Sequence, residues 1–376
     1  MSGIKRFFFF ILFTGCLIWL IGCTENNEFS IIEEDGTLLY DEVNDSLLVN
    51  ATVKTYIGNA LPNIYYGHHL KISHDDIDAF LANIGDSVDV VTQDEVFDVL
   101  YRYQCNCISG STISYETDAD GYYPHCMFIY NNREASCWYV EYPIYPGQNL
   151  YDEQFGRYVT ASFTEPCELS IGSASDAETE VRQALAALGL SELILNRTLY
   201  LSHDRMEQLG EYLQEEEWKQ IESAEYAEKD SWTTADDGYY FEFFVAIDGL
   251  PLLWKDYETD TFLYAGTSVQ VWYNAQGIVR LIVSYPWIAD EVIEESVAIC
   301  TAQEALNTAV SKLSNIITSD QRIITDITLV YMYFQDDDAW ILKPVWDIRY
   351  QAPSSFHVGG KIYKHIIIDA ISGQEV

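Results

Sequence analysis

Positive charge is scarce in this chain. Only 20 Lys and Arg stand against 59 Asp and Glu, for a formal net charge of −39 at pH 7. Nucleic-acid binding draws on Lys and Arg to displace counterions from phosphates, so the deficit argues against DNA or RNA as partners. It also repels anionic lipid head groups, so a body of this charge stands off a membrane surface. Low-complexity tracts are missing. So is any apolar run of the ~20 residues that a helix needs to cross a bilayer. The longest run, Phe7–Ile21, covers about 15 residues. No H-E-x-x-H, no G-x-S-x-G and no glycine-rich loop after a strand occurs. Motif-level signs of a zinc protease, an α/β-hydrolase or a doubly wound nucleotide-binding fold are thereby lacking.

What is present starts at the N-terminus. Lys5 and Arg6 precede the run Phe7–Ile21, and Leu20-Ile21-Gly22-Cys23 closes it. A basic start and a short apolar stretch ending at small residues describe a cleaved secretory signal over residues 1–22. The closing tetrapeptide resembles the bacterial lipobox. That resemblance implies a diacylglycerol on Cys23 and a folded body held at the extracytoplasmic face of the bacterial cell membrane. Two acyl chains anchor firmly where one does not. An ordinary secreted protein with a cysteine at this place is the alternative.

Removing the signal takes Cys16 with it. Cys105, Cys107, Cys126, Cys137, Cys167 and Cys300 remain beside Cys23. An oxidising exterior permits disulfides. A turn at Asn131-Asn132 would set Cys126 opposite Cys137 in a hairpin, close enough at Cα for a bridge. A four-thiolate zinc site from Cys105, Cys107, Cys126 and Cys137 is the sharper alternative, though its C-x-C spacing lacks the usual gap. Free buried thiols are the third.

Apolar residues make up 48% of the chain, enough for real cores in two or three domains. Residues 23–50 read as an acidic tether and a first strand. Ser73 caps a helix to about Asn83, with Ile77, Phe80, Leu81 and Ile84 on one face. A second short helix is expected over Gln93–Leu100. Strands follow near Tyr101–Cys107, Ser111–Glu116, His125–Tyr130 and Ser136–Glu141. Residues 51–156 form an N-terminal α+β domain on this reading. Ser175-Asp-Ala-Glu178 and Thr301-Ala-Gln-Glu304 are capping boxes, each opening a helix that precedes antiparallel strands. A further helix over about Asp204–Ile221 follows the first of these. Strands are expected over Tyr239–Ile247, Thr267–Tyr273, Ile278–Tyr285, Ile323–Phe334, Trp340–Tyr350 and Lys361–Ile368. The expected fold is α+β, with repeated units of a helix packed on a twisted antiparallel sheet, at 157–288 and 289–376.

The last unit carries a family resemblance. Asp369-Ala-Ile-Ser-Gly-Gln-Glu-Val376 after Ile366-Ile367-Ile368 resembles the ending of PepSY-type domains. Tyr273-Asn-Ala-Gln-Gly-Ile-Val279 is a weaker copy. The stretch from Ile299 to Pro344-Val345-Trp346-Asp347-Ile348 is similar to the C-terminal part of YycI-like regulatory lipoproteins. The resemblance covers residues 290–376 best and 170–288 loosely. It implies an extracytoplasmic modulator, inhibitor or sensor rather than an enzyme.

The residues themselves name no catalytic, cofactor or metal site. His68, His69 and His74 cluster in sequence, but adjacent histidines on an extended chain point apart. Glu116-Thr-Asp-Ala-Asp120-Gly121 imitates half a calcium loop, with Met127 where the bidentate Glu belongs. Asp336-Asp337-Asp338 reads as a hairpin tip. Ser202-His203-Asp204 is contiguous, whereas triad members converge from separate elements, so Ser202 reads as a helix cap. Cys300 reads as a core thiol, Asp369 as a turn device. The many Tyr and Trp of the C-terminal half read first as core, then as interface. The expected function is non-catalytic: binding or modulation of a membrane or cell-envelope protein. A binding protein for peptide, glycan or cation is the alternative, and a hydrolase is the third reading.

Overall fold

The structure, a computed structural model, describes residues 36–58, 60–97, 100–118, 127–132, 163–213, 231–258, 263–316, 320–336, 339–353 and 361–376. In chain order the elements begin with β1 (Leu38–Asn44), β2 (Leu47–Lys54), β3 (Ile64–His69) and α1 (His74–Asn83). Four strands follow, β4 (Val88–Phe97), β5 (Leu100–Cys107), β6 (Thr112–Asp118) and β7 (Met127–Asn131). Then come α2 (Ala174–Ala187), β8 (Leu193–Leu201), α3 (His203–Leu213), a 3-10 turn Thr234–Asp236, β9 (Gly238–Ile247) and β10 (Leu250–Pro251). The two-residue strands β11 (Tyr257–Glu258) and β12 (Leu263–Tyr264) lead to β13 (Ser268–Asn274), β14 (Gly277–Ser284) and β15 (Trp287–Glu294). The chain ends with α4 (Ala302–Ser314), β16 (Arg322–Asp336), β17 (Ala339–Pro353) and β18 (Lys361–Asp369).

The fold is α+β. A seven-stranded sheet runs β1-β2-β16-β17-β3-β15, with β18 also on β17. A nine-stranded sheet runs β10-β9-β13-β14-β7-β6-β5-β4, with β8 also on β9. Among the described strands the pairings within these two sheets are antiparallel except β2 with β16, and an isolated parallel bridge joins Leu252 to Tyr331. The seven-stranded sheet takes strands from both ends of the chain. The nine-stranded sheet joins β4–β7 to β8–β14 through the β7–β14 pair. Both sheets therefore draw on residues from either side of position 156, and the seven-stranded sheet from either side of 288.

Local chemistry explains the helices. Ser73 accepts from the Asp76 amide while Asp76 accepts from the Ser73 amide at 2.8 Å, and Ile77, Phe80 and Leu81 go inward. Thr301 and Glu304 form the same box for α4, which buries Ala302, Ala305, Leu306, Ala309 and Leu313. In α2 the cap is Ser173, two residues earlier than expected, accepting from the Asp176 amide at 3.1 Å. Ser175 then lies in the first turn, and Glu178 pairs with Arg182 at 2.7 Å. The helix expected over Gln93–Leu100 is not formed. Of its described residues, Gln93–Phe97 belongs to β4 and Leu100 opens β5, with Val91 opposite Cys105 and Gln93 opposite Tyr103. Val88, Val90, Val91 and Thr92, all β-branched, favour an extended backbone that β4 continues to Phe97.

One apolar cluster holds both sheets and the helices α1, α2 and α4, from Val49 and Phe80 through Val181 and Phe241 to Trp346. Trp287, Tyr333 and Trp340 belong to this packing, with Trp287 stacked on Tyr333 at 4.4 Å between ring centroids. Trp346 is fully buried and donates its Nε1 hydrogen to the Cys300 carbonyl at 3.0 Å. The C-terminal turn works as a turn device. Asp369 accepts from the amides of Ile371 and Ser372 at 2.9 and 2.8 Å, and Gly373 takes φ +70°, a conformation glycine enters freely.

Candidate functional site

The two sheets meet at a polar seam built by one short segment. After β10 folds back on β9, the Leu252 amide donates to Val245 of the nine-stranded sheet at 2.8 Å. The next amide, Leu253, donates to Tyr331 of the seven-stranded sheet at 2.7 Å. The backbone thus steps from one sheet to the other. Leu253 seals the step by packing on Val330, Met332, Val345 and Ile367, the sheet face opposite α4. Gly266 closes behind it. A Cβ there would stand 2.5 Å from the Trp254 carbonyl oxygen, so only glycine admits this approach.

Trp254 and Lys255 follow the step. Trp254 lies 5.6 Å from the Phe244 ring, and the Lys255 Nζ sits 4.5 Å over the Trp254 ring. Burial holds the Lys255 ammonium below its usual pKa, with attraction from Glu242 opposing and repulsion from Arg349 and Arg197 adding. Lys255 therefore feels charges from both sheets at once.

On the nine-stranded side, β8 bulges against β9 between Leu195 and Arg197. The bulge turns Asn196 and Arg197 onto one carboxylate. Asn196 donates to Glu242 at 2.7 Å and Arg197 at 2.9 Å, and Glu242 is buried. On the seven-stranded side, Thr52 on β2, Asp326 on β16, Arg349 on β17 and His365 on β18 stand in register. Arg349 donates to Asp326 at 2.9 Å and lies 4.7 Å over the Tyr363 ring. The His365 Nδ1 lies 2.7 Å from the buried Asp347 carboxylate. Between the two sides opens a cavity of about 450 Å³, lined by Gly36, Thr52, Lys54 and Tyr56 and, facing them, Leu195, Asn196 and Phe244. Tyr56 reaches it from a left-handed backbone, φ +62°, which a non-glycine residue adopts at a cost.

A second polar knot lies elsewhere. His203 opens α3, and its Nδ1 lies 2.7 Å from Asp237, with Nε2 3.3 Å from Asp204. Asp237 is buried and also accepts from the amides of Ser170 at 3.0 Å and His203 at 2.9 Å. The Asp237 hydrogen bond raises the imidazole pKa above its usual value. Burial pushes the Asp237 carboxyl up, but His203 and the two amides outweigh it and hold it below the usual range. Two carboxylates beside one ring favour its protonated form. Ser202 caps α3, its Oγ accepting from the Arg205 amide at 3.4 Å.

The histidines read together in the sequence part company. His68 pairs with Asp290 at 2.7 Å, His69 packs 3.9 Å from the Trp287 ring, and His74 packs on Tyr103 and Tyr115. Among the described residues no group of three or more His, Cys, Asp or Glu is placed to hold a metal ion. Cys105, Cys107, Cys167 and Cys300 are free. Burial, then Asp86, pushes the Cys107 thiol up to about 12; burial, then Glu304, pushes Cys300 to about 11. Thiols so raised are poor nucleophiles at neutral pH. Cys23, Cys126 and Cys137 lie outside the described residues. β7 pairs with β6 on one side and with β14 on the other. Ala119-Asp120-Gly121 and two of the three aspartates 336–338 also lie outside the described residues.

Sequence reasoning missed Lys255, Glu242 and Asp237. Asp347 and Arg349 were missed as well, though a signal for them stood in the sequence. In Trp346-Asp-Ile-Arg-Tyr350 two charges at i and i+2 interrupt an apolar strand and so share one face.

No protein-family profile matches the chain, and no curated protein matches it. Among solved structures, an uncharacterized protein from Eubacterium rectale ATCC 33656 has the same fold, with a TM-score of 0.64 at 16% identity. The match covers 92% of this chain and 96% of that one.

Proposed function

We propose that this protein is a lipid-anchored extracytoplasmic binding protein, without catalysis of its own, that docks on a membrane or cell-envelope protein. The observation that carries this reading is the β1 edge. Among the described residues β1 pairs only with β2. Leu38 and Tyr40 are 63% and 62% exposed on it. They stand opposite Thr52 and Asn50, so they share the sheet face that carries Thr52 and the cavity. An open strand edge with large apolar side chains is a template for an added strand. Acylation of Cys23 would raise the local concentration near a membrane partner.

The reading includes repeated PepSY-like units, the last one YycI-like. What supports it is the order of elements. α2 precedes β8, β9, β13 and β14, and α4 precedes β16–β18, each an antiparallel run. A photo-reactive residue at position 40, in intact cells, tests the docking. It is expected to capture one membrane protein that a probe at Lys71 does not, and Leu38→Asp is expected to reduce the capture. Equal capture from both positions, or none, sinks the reading. Serine at position 23 is expected to release the protein from the membrane.

A second reading, the binding of a small ligand, is favoured by the cavity at the seam. It is a groove open to solvent, large enough to seat a small ligand, and its walls come from two sheets rather than one loop.

A further inference from the structure

We propose that the cavity between the sheets is a binding site for a small carboxylate ligand with one flat face, the carboxylate meeting Lys54 and the flat face lying on Tyr56 and Phe244. This inference rests on the small-ligand reading and gives it a chemical class.

The charge distribution argues for it. Four of the chain's 20 Lys and Arg gather at the cavity or directly behind it: Lys54, Arg197, Lys255 and Arg349. They come from four separate segments of a chain at −39. Arg197 and Arg349 are matched, by Glu242 and Asp326. Lys54, which lines the cavity, stands in no ion pair among the described residues. Charges farther than a Debye length of ~8 Å are largely screened at physiological salt; the near carboxylates Glu242 and Asp326 are each paired to an arginine, which leaves Lys54 as the unpaired charge among the lining residues.

The walls select the rest of the ligand. Thr52 and Asn196 supply a hydroxyl and an amide beside Lys54. Asn196 is held in place by its bond to Glu242 at 2.7 Å. Phe244 is backed by Trp254, which Gly266 locks from behind. A held donor and a braced ring are the marks of a preorganised site. An aromatic wall beside polar donors suits a sugar ring or a peptide plane. The shared chemistry is a carboxylate on a flat body, carried either by an acidic sugar or by the free end of a short peptide.

Calorimetric titration of the full chain in detergent tests this. The probes are glucuronate and acetyl-Ala-Ala, each with its neutral partner, the methyl ester and the amide. Saturable one-to-one binding of at least one acid is expected, with its neutral partner at least tenfold weaker. The stronger acid identifies the source as sugar or peptide. Lys54→Ala should weaken binding at least tenfold with an unchanged melting temperature, whereas Lys71→Ala should bind as the parent does. A neutral partner that binds as tightly as its acid overturns the carboxylate assignment and leaves the small-ligand reading standing. Undiminished binding by Lys54→Ala overturns the location. No saturable binding by any of the four probes overturns both readings.

Discussion

His203 and Lys255 are both cations held among carboxylates, yet they sit in opposite circumstances. Around His203 every nearby group is matched: both ring nitrogens face carboxylates, and Asp237 takes two backbone amides besides. Around Lys255 attraction and repulsion compete, and burial depresses its charge. The first arrangement ties the segment at Ser170, the start of α3 and the turn before β9 into one knot. The second stands at the seam of two sheets, beside open space. A fully matched buried network contributes to stability; a partly matched one at a cavity costs stability and is poised for a ligand.

The largest expected effect comes from breaking the knot. Asp237→Ala strips the acceptor from two amides and the His203 Nδ1. At ~1–3 kcal/mol for each buried group left unmatched, the loss should reach roughly 3 kcal/mol or more in urea unfolding. A loss below about 1 kcal/mol would remove the distinction between the two regions. Gly266→Ala comes next. Its Cβ collides with backbone rather than with a movable side-chain tip, so a loss of about 1–3 kcal/mol is expected. Ligand binding at the seam should fall with it, since Trp254 must shift.

The pH dependence separates the regions further. His203 has a raised pKa in the folded protein, so its stabilising contribution is full below the unfolded value near 6.5 and fades as pH climbs through the folded one. Asp237 has a lowered pKa, so its contribution is full above the unfolded value near 3.8 and fades as pH falls through the folded one. The stability gap between the parent and His203→Gln should therefore be widest between those two values and narrow toward alkaline pH. A gap that is flat from pH 5 to pH 9 contradicts the cationic assignment.

At the seam the sign reverses. Lys255→Met removes a partly buried charge and keeps the apolar stem, so stability should rise, by up to about 1 kcal/mol. Lys54→Ala, the smallest effect, should leave stability within about 0.5 kcal/mol. A large loss in either variant would make the seam a structural knot like the first.

Elements governed by neighbours in sequence were legible from it. The caps at Ser73 and Thr301, the Asn274–Gly277 turn and the Asp369–Gly373 turn all follow from side chains bonding amides a few positions away. The α+β class followed from the same local signals. The strands β3, β8 and β15 were not anticipated. β15 is mostly exposed along its length, so it shows no apolar alternation, and it is held mainly by its backbone pairing to β3. The α2 cap slipped because Ser173 and Ser175 offer the same chemistry two residues apart. The candidate site was illegible for a different reason. Lys54, Asn196 and Phe244 come from three segments that meet where the two sheets pack, near the step at Leu252–Leu253, and no local pattern announces that meeting. Asp237 likewise meets His203 across a long excursion of chain.

The parallel pairing of β2 with β16 sets a schedule for folding. Leu47 lies beside Arg322 and Lys54 beside Thr328, partners from opposite ends of the chain. A chain emerging N-terminus first offers β1 and β2 as a lone hairpin, which is marginal in water, until the segment from Arg322 onward arrives. Contacts so distant along the chain close slowly. Throughout that wait the apolar stripe Leu47, Val49, Ala51 and Val53 lacks the partners that bury it in the folded protein, which exposes the newborn N-terminus to aggregation.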